Sequence, residues 1–316
     1  MLENGYNPFE KQSSIEVQKK LIPITIIDAR EKFVVYHKAK KTRDKSIKSY
    51  LSKINQFISF VGEYKRVIDV TELDVINYLH AFEHSEKWTG VTYNMAKVCL
   101  NNLFKFLLTN KYINVNPVSS VERRKQVKTE LHQVFTDDDF KLIMDWLKHN
   151  DNYCLLFVKM IYYTCIRPKE LRLTQLKYID LNNERIIIPA SVSKNKKALP
   201  VKIDPSLMTE FNKLNLSSYS SESYLFGDTK TIIGSKKIGE NTPYKRFHKC
   251  LEELRLLNKN YTLYSFKHLS NVRKYLAGWS IAEICSANRH SSLVETETYL
   301  KDLIKFIPAT KSIPQI

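Results

Sequence analysis

Near the C-terminal end of this 316-residue chain, Arg289-His290-Ser291-Ser292-Leu293 is followed, nine residues after the histidine, by Tyr299. A histidine, a short polar turn and a tyrosine facing back into one pocket suit an uncommon chemistry. That chemistry is attack of a tyrosine hydroxyl on a DNA phosphodiester, which leaves protein and DNA covalently joined. A histidine satisfying local backbone is the ordinary alternative. Tyrosine also makes up 18 of 316 residues, so the spacing informs only in combination with other groups.

Three further segments carry suitable groups. Thr164-Cys165-Ile166-Arg167-Pro168-Lys169-Glu170-Leu171 reads as a helix–turn–helix corner, with Pro168 opening the second helix. An arginine projected from such a corner can grip two phosphate oxygens at once and stays charged at any working pH. Glu170 would buttress that fork, although a surface Arg–Glu pair worth little is the plain alternative. In Ser193-Lys194-Asn195-Lys196-Lys197, Lys194 sits at a hairpin tip. From there it could enter a minor groove or give a proton to a departing 5′ oxygen, though such tips are common without function. Finally, Tyr261-Thr262-Leu263-Tyr264-Ser265-Phe266-Lys267-His268 leads into a helix containing Asn271, Arg273, Lys274 and Tyr275 and closing at Gly278.

The elements that must hold these groups are mostly helical. Residues 1–29 read as a weakly structured leader. From about Thr42, Ile47, Tyr50, Leu51, Ile54, Phe57, Ile58 and Val61 recur at three- and four-residue steps up to Gly62. Thr71 is a candidate N-cap for a second helix, and a third runs from about Thr89 to Asn110. Residues 30–118 thus form a helical bundle. Residues 119–132 hold Arg123, Arg124, Lys125 and Lys128 with few large apolar side chains. They read as a linker, either a strap along a phosphate backbone or a solvated loop. Helices resume at 137–148 and 151–164. Strands at 186–189 and 199–203 flank the lysine-rich turn, and helices return from about Thr242.

Composition narrows the class. Fifty Lys and Arg against 33 Asp and Glu give a formal charge of +17, which favours a polyanionic partner, nucleic acid first and an anionic membrane second. No run approaches the roughly 18 apolar residues that cross a bilayer, and residues 1–10 lack a secretory apolar core. A cytoplasmic protein is expected. Five scattered cysteines without a C-x-x-C pair argue against a disulfide framework or zinc knuckle, and no metal or cofactor is expected.

Taken together, these residues resemble the tyrosine recombinase (phage integrase) family. Its pattern is an arginine in a T-G-x-R-x-x-E-L box, a hairpin lysine, an H-x-x-R box, and a G-H-x-S box nine residues before the nucleophilic tyrosine. Order and intervals agree over about residues 135–303, and the preceding bundle matches the family's core-binding domain. Cys165 and Arg289 stand where the pattern has glycines. The H-x-x-R box reads Tyr264-Ser265-Phe266-Lys267, so its histidine is Tyr264 and its arginine Lys267. Lysine keeps the charge but loses the two-pronged fork. This variant resembles integrases on mobile elements of Bacteroidetes-type bacteria.

The resemblance implies a mainly α fold with a small β-sheet or hairpin. It comprises a helical, SAM-like core-binding domain (30–118), a basic linker (119–132), a catalytic domain (133–303) and a C-terminal tail (304–316). It implies a site-specific recombinase, without cofactor or metal, that cuts and rejoins double-stranded DNA through a 3′-phosphotyrosyl intermediate. Tyr299 is the nucleophile; Arg167, Lys267 and His290 neutralise charge on the phosphate; Lys194 is the general acid; Glu170, Tyr264 and His268 support. Arg123, Arg124, Lys125, Lys128, Arg273 and Arg289 are expected to contact DNA. The tail, with Ile304, Phe306, Ile307, Ile313 and Ile316, either frays or docks on a neighbouring protomer of a DNA-bound tetramer. A bacterial, nucleoid-associated protein follows. A catalytically degenerate DNA-binding protein on the same scaffold and a type IB topoisomerase-like enzyme are the alternatives.

Overall fold

The computed structural model describes residues 23–85, 88–125, 133–193 and 197–303. The chain divides into two compact units after Lys128, inside the segment read as a linker.

The first unit is built from α1 (Ile26–Ala39), α2 (Asp44–Val61), α3 (Glu72–His84) and α4 (Gly90–Thr109). Thr25 and Thr71 cap α1 and α3 in the same way: each hydroxyl meets the third helical N–H, and Asp28 or Asp74 returns the bond to the cap. α2 stops where Gly62 takes φ 96°, a left-handed value that costs a side chain strain and glycine none. Ile26, Phe33, Ile54, Phe57, Tyr78, Leu103 and Phe104 meet in the core of this unit. α1 begins inside the segment read as a leader. Only Ile26, Ala29 and Phe33 of it are buried, a stripe too narrow to stand out against its charged neighbours.

The second unit opens with α5 (Asp137–Asn150), α6 (Asn152–Thr164) and the short α7 (Pro168–Arg172). Three antiparallel strands follow: β1 (Ile179–Asp180), β2 (Arg185–Ile188) and β3 (Leu199–Lys202), with Ile186 opposite Val201 and Ile188 opposite Leu199. Next come α8 (Pro205–Lys213), a second hairpin of β4 (Tyr224–Asp228) and β5 (Ile232–Gly234), then α9 (Thr242–Glu253) and α10 (Leu263–Leu276). The chain then enters α11 (Ile281–Asn288) and α12 (Leu293–Leu303). The sequence reading had placed no element at β1, α8 or the second hairpin. In that hairpin the backbones nearly touch: a Cβ on Gly227 would lie 2.3 Å from the Gly234 carbonyl oxygen, so strand residues with side chains are excluded there.

α6 is the hub. Tyr153, Cys154, Leu156, Phe157, Val158, Met160 and Ile161 are all buried, so the helix is apolar around most of its circumference. α10 packs beside α6 and is also buried, yet it carries Ser265, Lys267, His268, Ser270 and Asn271 inside. Polar groups are withdrawn from water at a cost unless they are paired. Their pairing builds the site.

Candidate active site

Two chain reversals bring the chemistry-bearing side chains of the second unit together. α6 ends at Cys165, whose left-handed backbone (φ 52°) lets its N–H bond the Ile161 carbonyl at 3.0 Å. The chain then turns through buried Ile166 and restarts at Pro168, which leaves Arg167 on the corner. α11 ends the same way at Arg289 (φ 55°), which turns the chain so that His290 follows. Both left-handed positions are those where the family pattern has glycine. Each non-glycine residue there costs on the order of 1 kcal/mol of backbone strain.

The centre of the cluster is Glu170, 2% exposed. Its Oε1 accepts from Arg167 Nη1 at 3.3 Å and its Oε2 from Arg289 Nη2 at 2.8 Å, while the Arg167 backbone N–H also reaches Oε2. Lys267 approaches from α10, and its ammonium donates to the Cys165 carbonyl at 3.2 Å. Burial holds Lys267 well below the usual lysine value, down to about 8, with the positive charges of Arg167 and Arg289 acting in the same direction. Burial also lowers Arg289, against the pull of Glu170. Burial alone would push the Cys165 thiol up. The ammonium groups of Lys274, 3.2 Å from its sulfur, and of Lys267 outweigh that and hold it below its ordinary value.

Tyr299 lies on α12, and its hydroxyl turns inward to meet α10. His268 Nδ1 lies 2.6 Å from its oxygen, and Asn271 Nδ2 donates to that oxygen at 3.3 Å. Burial pushes the Tyr299 phenol well above its usual value, so it is held as the neutral alcohol. His290 stands edge-on to the Tyr299 ring, with centroids 5.7 Å apart, and its Nδ1 meets Thr296 Oγ1 at 2.8 Å. Asn271 also donates to Asn288 Oδ1 at 3.2 Å, and Asn288 donates back, which ties α10 to the end of α11. Tyr264, one turn before His268, keeps part of its ring exposed; burial raises its phenol and Arg167 draws it down.

The structure thus gathers Arg167, Glu170, Tyr264, Lys267, His268, Arg289, His290 and Tyr299. Lys194 and Lys128 lie outside the described residues, as does the tail from 304. Arg289 is 6% exposed, so its guanidinium is spent on Glu170 inside the unit. Arg273 points elsewhere, to Tyr162, Asp137 and the face of Phe140. In the first unit, Arg123 and Lys125 are exposed. Arg124 forks onto Glu83 at 2.8 Å and 2.9 Å and covers the Tyr93 ring. Its backbone is held by Asn94, so the chain up to residue 125 packs on this unit. Asn271, Asn288 and Thr296 are members of the site that sequence reasoning missed. Asn271 had a legible signal: with Tyr264 and His268 it continues a polar stripe at helical spacing. Among the described residues no group of His, Cys, Asp and Glu is placed to hold a metal, and no helix is long and apolar enough to cross a membrane.

This architecture has known counterparts. Residues 133–304 match the phage integrase family, and residues 30–114 match its N-terminal SAM-like domain. The chain belongs to the phage integrase family, the tyrosine recombinases, whose class of function is site-specific DNA recombination. Among curated relatives, tyrosine recombinase XerC of Rickettsia massiliae is 23% identical over 277 residues, covering 83% of this chain and 87% of the relative. Among solved structures, a lambda integrase dimer bound to a COC′ core site superposes with a TM-score of 0.69 at 15% identity, over 93% of this chain and 80% of that one. The Tn1549 transposon integrase in complex with transposon right end DNA gives 0.68 at 12% identity, over 87% and 94%. These structural likenesses concern the fold.

The bridging carboxylate sets a stability test. Glu170→Gln removes the carboxylate charge shared by the buried Arg289 and the partly buried Arg167 guanidiniums, a change that costs about 3–5 kcal/mol where a buried pair is broken. A fall of that size in unfolding free energy by urea titration is expected; an unchanged midpoint would mean that the pairing contributes nothing.

Proposed function

We propose that this chain is an active recombinase that binds double-stranded DNA and cuts it by transesterification, with Tyr299 as nucleophile. The observation that carries the reading is the Tyr299 hydroxyl, held 2.6 Å from His268 Nδ1 and beside His290, in the same unit that brings Arg167 and Lys267 together.

In the first step the Tyr299 oxygen attacks the scissile phosphorus and the bond from phosphorus to the 5′ oxygen breaks. The phenolic proton passes to His268, with Nδ1 unprotonated in the reactive tautomer, and Lys194 gives a proton to the departing oxygen. The products are a 3′-phosphotyrosyl bond and a free 5′ hydroxyl. Attack by a 5′ hydroxyl on that phosphotyrosine reverses the exchange and conserves the bond without ATP. Arg167, Lys267 and His290 offset the charge that grows on the non-bridging oxygens, a role worth roughly 3–4 kcal/mol for a well-placed donor. Thr296 aligns the His290 ring for it. Tyr264 cannot serve as the proton acceptor near neutral pH, because burial lifts its phenol above an already high value. His268, one turn further along the same helix face, supplies the imidazole that the motif lacks at 264.

The excess of 17 positive charges supports binding dominated by phosphate contacts, with affinity that falls as salt rises. Exposed Arg123 and Lys125 are the described cations of the 119–132 segment offered to that backbone. A lambda integrase tetramer on a Holliday junction supports assembly of four copies of this chain on DNA.

Nicked duplexes, selected from a randomised pool by binding to the protein, should trap a covalent adduct that resists denaturing gel electrophoresis. Tyr299→Phe should bind the same duplexes and trap none; a wild-type protein that binds but never forms the adduct would sink the reading in favour of a pure DNA-binding role. His268→Ala should slow single-turnover adduct formation by about 10²–10⁴-fold with little change in DNA affinity, as expected for a lost proton acceptor. Lys267 is cationic below about pH 8 and loses its charge above it, so kcat/KM should fall as pH rises through that value. Lys267→Arg should move this falling limb upward out of the range, because guanidinium stays charged; an identical limb in both proteins would assign it to another group.

A further inference from the structure

Arg289 is disfavoured twice by its surroundings. Its backbone is left-handed, where glycine is at ease, and its guanidinium is drawn out of water into a site already crowded with cations. Neither condition helps the chain to fold. What the arginine does gain is a 2.8 Å bond to Glu170 Oε2, the carboxylate that also holds Arg167.

We propose, resting on the function argued above, that Arg289 is a positioning residue: by sharing Glu170 it keeps the Arg167 fork and its charge available to the phosphate, which offsets the lysine at position 267. A carboxylate with Arg167 as its one basic neighbour would draw that guanidinium into a two-pronged pair. With Arg289 seated on Oε2, the side chain of Arg167 commits Nη1 to Glu170, at the longer distance of 3.3 Å. The charge count agrees. Arg167, Glu170 and Lys267 alone sum to one positive charge, and that one resides on a lysine whose ammonium is weakened by burial. Arg289 adds a second that does not titrate in the working range. Lys267 is faced by Cys165 from the end of α6, by Arg167 and Glu170 from the α7 corner, and by Arg289 from the end of α11. Arg289 therefore acts on Lys267 in the opposite sense, destabilising its charged form by repulsion. Those two effects of one side chain are separable by pH.

The test compares full-length wild type, Arg289→Met, Arg289→Gly and Arg289→Lys, alone and with Lys267→Arg, on the nicked duplexes that trap the wild-type adduct. Arg289→Met and Arg289→Gly should slow single-turnover adduct formation at pH 7 by about tenfold or more, less than the loss of a donor that touches phosphate. The alkaline limb due to Lys267 should move to higher pH in both, because a neighbouring positive charge has gone. Arg289→Lys should keep most of the rate, and Lys267→Arg should restore much of what Arg289→Gly loses. The glycine variant suits the left-handed turn, so a folded protein is expected, and its urea midpoint verifies this. Wild-type rates in the methionine and glycine variants, an unmoved limb, or an equal loss in the Lys267→Arg background would overturn the inference while leaving Tyr299 as nucleophile. Absence of any adduct in the wild type would remove the functional reading and this inference together.

Discussion

A single buried carboxylate organises the second unit. Glu170 stands at the start of α7 and receives a guanidinium from its own corner and another from the end of α11. Glu170 and Arg289 are 119 residues apart in sequence, and in the low dielectric of the interior the shared carboxylate fixes the two chain reversals against each other. Buried ion pairs are poor sources of net stability, since desolvation consumes most of the attraction. Their presence here fits a requirement of position: two guanidiniums and a lysine ammonium held close together repel one another, and the carboxylate is what keeps them assembled.

The second constraint is the face of α10. A helix packed against the apolar hub α6 would ordinarily present leucines and valines, and this one does so through Phe266, Leu269 and Val272. Its other residues, Lys267, His268 and Asn271, are equally withdrawn from water, and each is satisfied by a group from a different element: the Cys165 carbonyl, the Tyr299 hydroxyl and the Asn288 amide. Pairing polar groups in this way costs less than leaving them bare, so the requirement to satisfy them aligns α6, α11 and α12 around α10. The Tyr299 phenol is thereby seated as a neutral alcohol beside an imidazole, the protonation state from which the proposed proton transfer would start.

Much of this was legible beforehand. The third helix was read at 89–110 and is found at Gly90–Thr109, and the Thr71 cap and the Gly62 stop lie where threonine and glycine have local reasons to be. Arg167, Lys267, His290 and Tyr299 could be named as candidates because their order and intervals resemble the family pattern, and the fold brings them into one neighbourhood of the second unit. The elements missed were those with weak local signals: α1 with its narrow buried stripe, α8 of nine residues, and the glycine-flanked hairpin at 224–234. Short strands owe their existence to partners rather than to intrinsic preference.

Local physics written in the residue order determined the helices, their caps and stops, the positive charge that calls for a polyanion, and the family pattern of the catalytic groups. Tertiary packing alone decided which groups meet. It turned Arg289 from an expected DNA contact into a buried partner of Glu170, sent Arg273 to Tyr162 and Asp137, and put His268 rather than Tyr264 against the Tyr299 hydroxyl. Periodicity along a helix tells which residues share a face, but the neighbour that the face meets is set by long-range burial and by the need of every enclosed polar atom for a partner. Those two conditions are satisfied only once the whole unit has closed.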